Sequence, residues 1–146
     1  MDAMRLRLKK VAKELGLPLG DRRMTFNSRL AQELAKWAES QGKGDEFHEA
    51  VFRAYFVEGR NIGKEDELAE LARSVALSEQ EAKKVLQLRT YMKAVDSDWS
   101  QARSMGISAV PTFVLDHQAV VGAQPYEVLE EFLKKNGVKR RLTKNS

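Results

Sequence analysis

The chain has 146 residues, 42% of them hydrophobic and 32% charged, with a formal net charge of +4 and no cysteine. That length and apolar fraction suit one folded domain with little core to spare. The lack of cysteine excludes disulfides, zinc thiolate centres and a cysteine nucleophile from within the chain.

Much of the basic excess sits at the ends: Arg5, Arg7, Lys9, Lys10 and Lys13 near the start, and Lys134, Lys135, Lys139, Arg140, Arg141 and Lys144 near the finish. Acidic residues are dense between them. The ends therefore read as a solvated helix face and a basic tail over 138–146, with neither nucleic acid nor membrane expected as a partner. Met1 to Lys10 contain no apolar stretch of secretory type, and no window reaches the length of a membrane span, so a cytoplasmic protein is expected.

Met4, Leu8, Val11, Ala12 and Leu15 recur at helical spacing and define a first helix, which Gly16 and Pro18 end. Residues 17–27 read as a connector that could form a short edge strand. Leu30, Leu34, Trp37 and Ala38 mark a second helix capped by Asn27 or Ser28. Phe47, Ala50, Val51, Ala54 and Tyr55 mark a third, stopping before Gly59. Glu65 to Ala76 forms a fourth, with Leu68, Leu71, Ala72 and Val75 inward. Ser78 and Glu81 make a capping box for a fifth. A sixth runs from about Thr90 to Met105 by its periodicity, with Trp99 in the core as Trp37 is.

The pattern then changes. Thr112-Phe113-Val114-Leu115 and Ala119-Val120-Val121 are apolar, β-branched runs around the polar turn Asp116-His117-Gln118, which predicts a hairpin. Pro125 opens a last helix that turns Val128, Leu129, Phe132 and Leu133 inward and stops at Gly137. The expected fold is α+β and mostly helical, with an unusually small sheet. A lone hairpin leaves unpaired backbone at its edge, so the connector, a second copy or a protein or peptide partner should cover it.

The segment Gly106 to Val114 carries the most information. Pro111 heads a strand, where a missing N–H is tolerated. The loop alone leaves the Val110–Pro111 bond open to either isomer, trans being the commoner. This segment resembles the cis-proline loop of thioredoxin-fold proteins. Asn27-Ser28-Arg29-Leu30-Ala31, the run Ala50 to Gly59, and Val121-Gly122-Ala123-Gln124-Pro125 resemble, in order and spacing, the FrnE-like group of the DsbA family of disulfide oxidoreductases.

The resemblance spans about residues 5 to 135 and implies a partial thioredoxin-like domain over 1–146. In it, 28–105 is a helical insertion, and 1–27 with 106–137 belong to the thioredoxin-like part, with the β-hairpin and C-terminal helix at its end. Members of this family begin with a strand and a Cys-x-x-Cys turn at a helix N-terminus, which lowers the first thiol's pKa. Both are missing here, so the chain is expected to be a truncated, redox-inactive relative with no catalytic residue and no cofactor of its own. In the family the residue before the proline pairs with bound peptide, which implies a peptide-docking loop at Val110, Pro111 and Thr112. Two alternatives remain: a non-enzymatic binding or dimerisation module, and a fragment like 2-hydroxychromene-2-carboxylate isomerase.

His48 and His117 have no metal-ligand spacing around them, so no metal is expected. Ser28, Ser104 and Ser108 lack the setting of a nucleophile elbow. Gly42-Lys43-Gly44 is too short for a phosphate loop and reads as a helix–helix link.

Overall fold

The computed structural model describes residues 3–21 and 24–141. The last residues of the basic tail, with Lys144, lie outside them. The elements run α1 (Ala3–Glu14), α2 (Arg29–Ser40), α3 (Gly44–Phe56), α4 (Glu65–Ser74), α5 (Glu79–Leu88), α6 (Met92–Ser104), β1 (Thr112–Leu115), β2 (Gln118–Val121) and α7 (Tyr126–Lys135). The fold is α+β and mostly helical. Backbone contacts divide it into two compact units, Met1–Ser97 and Asp98–Ser146.

The first unit is built on α2, which packs against α3, α4 and α5, while α4 also packs on α3 and α5. Leu34, Phe47, Leu68 and Leu86 are fully buried at the centre of this core. Alanines at 31, 35, 38, 54, 69, 72 and 82 line it, and their small side chains let the helix axes approach closely. Trp37 lies in this core as expected.

By contrast α1 buries no residue. The described part of the connector forms no strand. It is tied down where the Gly20 N–H donates to Phe56 O at 2.9 Å. A Cβ at Gly20 would meet Val57 O at 1.9 Å, so only glycine permits that approach.

Helix ends follow local chemistry. The Asn27 side chain accepts from the Arg29 N–H at 2.8 Å, while the Ser28 hydroxyl accepts from Gln32 instead. The Ser78 hydroxyl accepts from the Glu81 N–H, which is the half of the capping box that forms. Helix α4 ends at Ser74, two residues before the expected Ala76. The reason is a Schellman turn: Leu77 N–H bonds to Ala72 O and Ala76 N–H to Arg73 O. Ala76 itself takes φ +63.

In the second unit β1 and β2 pair antiparallel, Thr112 with Val121 through Leu115 with Gln118. Gln118, expected in the turn, joins the ladder because Asp116 takes φ +51 and closes the turn in two residues. The Gly122 N–H donates to Pro111 O at 2.8 Å, extending the pairing one step toward the proline. Pro125 precedes α7 as its N-cap and is not its first helical residue.

Two core expectations fail in this unit. Trp99 is 41% exposed, and α7 buries no residue, with Val128 and Leu133 exposed. Strands of four residues offer too little surface to bury a helix stripe.

Leu34→Ala is expected to cost about 2–5 kcal/mol in urea unfolding, since it opens a cavity in the helical core, whereas Leu133→Ala should cost under about 1 kcal/mol. Ala76→Gly should stabilise the chain by about 1 kcal/mol, because glycine removes the left-handed penalty at that position.

Candidate functional site

The loop before β1 begins where α6 ends, with Ile107 N–H bonded to Ala102 O. The Val110–Pro111 peptide bond is cis. The Thr112 hydroxyl donates to Ala109 O at 2.6 Å and closes the loop beneath Val110. Val110 is 89% exposed. Among the described residues its backbone N–H and C=O take no hydrogen bond. Val110, Pro111 and Thr112 thus stand together at the head of β1, whose outer edge is open among the described residues.

A groove of about 320 Å³ lies on one face of the hairpin. Thr112 and Val121 are a cross-strand pair, as are Val114 and Ala119. All four side chains share that face, because side chains alternate along a strand. Met105, Ile107, Ser108, Asp116, His117 and Gln118 are also in the lining. Thr112 Oγ1 is already committed as a donor to Ala109 O, and Asp116 and His117, neighbours in the turn, are the groove's titratable side chains. The arrangement suits binding of extended backbone and apolar side chains. His48, in the first unit, sits 3.3 Å from Glu39 and against the Phe52 ring.

The strongest electrostatic feature lies in the helical unit, and none of the motifs above pointed to it. Glu33 on α2 is a carboxylate only 1% exposed. Arg89 grips it with two bonds, Nε to Oε2 at 2.8 Å and Nη2 to Oε1 at 2.7 Å. Arg29, one turn earlier on α2, donates Nε to Oε1 at 2.7 Å. Its Nη2 reaches on to Met92 O at 2.9 Å and Asp96 at 2.7 Å. Arg89 caps α5 in a left-handed conformation, φ +51. The Arg89 hydrogen bonds hold the Glu33 carboxyl below its ordinary value of 4.5, outweighing the opposing effect of burial, and Arg29 adds to the shift. The spacing of Arg29 and Glu33 is legible in sequence as an i,i+4 pair. Arg89, 56 residues from Glu33, is not.

A family model described as the DSBA-like thioredoxin domain matches residues 1–134. The chain belongs to the DSBA-like thioredoxin domain family. It is 36% identical over 103 residues to the uncharacterized protein YwbO of Bacillus subtilis, covering 70% of this chain and 52% of YwbO. It is 35% identical over 107 residues to the ClpXP adapter protein SpxH of the same organism, covering 67% of this chain and 36% of SpxH.

Among solved structures, a probable DsbA oxidoreductase from Streptomyces coelicolor superposes with a TM-score of 0.76 at 29% identity, covering 92% of this chain and 59% of that one. A 2-hydroxychromene-2-carboxylate isomerase gives the same TM-score at 19% identity, covering 90% and 64%, and shares the fold. This DSBA-like chain spans about half the length or less of the curated relatives it matches.

The Glu33 cluster makes stability depend on pH in one direction. A carboxyl whose folded-state pKa is depressed contributes stability that is complete above the unfolded value and is lost as pH falls through the folded one. Glu33→Gln is expected to lower stability at pH 7 by about 3–5 kcal/mol, because it breaks a buried ion pair. It should also flatten the fall in stability below pH 4.5, the group's ordinary value. Urea titrations of both forms between neutral pH and pH 3 (the range that brackets the carboxylate titration) check this.

Proposed function

We propose that this chain is the peptide-docking part of an FrnE-like disulfide oxidoreductase and is redox-inactive by itself. Thiol–disulfide exchange needs a thiolate that attacks sulfur, and the chain has no cysteine. One observation carries the docking half of the reading. Val110 stands exposed at the head of a strand edge that is open among the described residues, where its backbone N–H and C=O take no hydrogen bond. An extended peptide can add to such an edge through main-chain bonds, with the hairpin groove receiving alternate side chains. Val110, Pro111 and Thr112 are the residues of this dock, and neither a metal nor a cofactor takes part.

The likeness to a probable DsbA oxidoreductase at 29% identity supports this reading over the isomerase one, whose structural relative lies at 19%. A second reading, a binding module with no redox step, is supported by the similarity to a protein named as a ClpXP adapter.

Two measurements test the proposal. Reduction of insulin by dithiothreitol should run at the same rate with and without the purified chain; acceleration would contradict redox inactivity. Titration with a short uncharged extended peptide should shift the amide NMR signals of residues 109–115. Shifts confined to the helices of the first unit would refute docking at Val110.

A further inference from the structure

The first unit carries a second surface, independent of the hairpin. A groove of about 330 Å³ runs between α1, the start of the connector and α3. Leu8, Val11, Leu15, Leu17, Phe52 and Phe56 line it. Leu15 is 66% and Phe52 57% exposed. Leaving several large apolar groups together in water is costly, and contiguous patches of this kind mark binding surfaces.

The charge around the groove selects the occupant. Helix α1, with the sequence AMRLRLKKVAKE, carries Arg5, Arg7, Lys9, Lys10 and Lys13 against the single acid Glu14. Lys9 pairs with Asp21 of the connector, an acid from outside the helix, and Lys10 with Glu14 on α1 itself. Two copies meeting through α1 would bring like charges together, which disfavours self-pairing. An anionic bilayer would satisfy the charge, but a flat surface leaves a concave groove unfilled. A helix fits both features, with apolar side chains entering the groove at i, i+3, i+4 and i+7 and acidic ones meeting α1.

We infer that the α1–α3 groove docks an acidic amphipathic helix of a partner protein. The affinity comes from the apolar face, and the preference for acidic over basic partners comes from α1.

The test compares two synthetic helical peptides with the same leucine stripe, one with glutamate and one with lysine on the polar face. Binding to the full chain is followed by fluorescence anisotropy. The glutamate peptide should bind at least about tenfold more tightly than the lysine peptide, and that preference should shrink as salt shortens the screening length from about 10 Å at 0.1 M to about 3 Å at 1 M. Leu15→Ser and Phe52→Ser alter exposed side chains, so far-ultraviolet circular dichroism should be unchanged while affinity falls by about tenfold. Equal binding of both peptides, or none, overturns the inference. So does tighter binding to phosphatidylglycerol vesicles than to the glutamate peptide, or a dimer in sedimentation that Phe52→Ser dissolves.

Discussion

A single buried carboxylate organises the helical unit. Glu33 sits inside α2 with 1% of its surface exposed, and an unpaired charge there would be costly. Arg89 and Arg29 make burial tolerable by occupying both its oxygens. The consequences spread along the chain. Arg89 must adopt a left-handed backbone to reach inward, which fixes how α5 ends. Arg29 must point toward Met92 and Asp96, which fixes where α6 begins relative to α2. Such a cluster contributes less net stability than its bond count suggests, because taking the Glu33 carboxylate out of water offsets most of the Coulomb gain. Its effect is geometric: one arrangement of α2, α5 and the first turns of α6 satisfies every group.

The two units differ in kind. In the first, leucines, alanines and Phe47 close a core, so its geometry rests on burial. In the second, the hairpin and α7 bury little, and the described strand edge stays open. Function on an open edge needs a fixed head to the strand, which the Thr112–Ala109 bond and the Gly122–Pro111 bond supply from either side. The dock proposed at Val110 therefore rests on hydrogen bonds inside the second unit.

Much of this was legible in the residues. Period-3.6 patterns located the helices, Ser78 announced α5, and the β-branched run after Pro111 announced β1. The family was legible from Asn27 to Ala31 and from Gly106 to Val114. The part that Arg29 plays was not. Asn27 accepts from the Arg29 N–H at the start of α2, and Arg29 begins the ion cluster, so part of the resemblance consists of residues that build Glu33's surroundings. Patterning misjudged α7 and Trp99 because periodicity reports which face is apolar and is silent on whether anything covers it. It placed the end of α4 two residues late because alanine gives no warning of a left-handed turn. Arg89 escaped notice because a contact across 56 residues leaves no local mark.

The asymmetry of the cluster offers its most direct test. Arg29 keeps Met92 O and Asp96 without Glu33, and Arg89 is 42% exposed and can turn to water. Glu33 has no such escape. In urea unfolding, Glu33→Met combined with Arg89→Met should therefore be more stable than Arg89→Met alone, by at least about 1 kcal/mol. A double variant that loses the plain sum of the two single losses would contradict the claim that a buried carboxylate, held by its arginines, organises this fold.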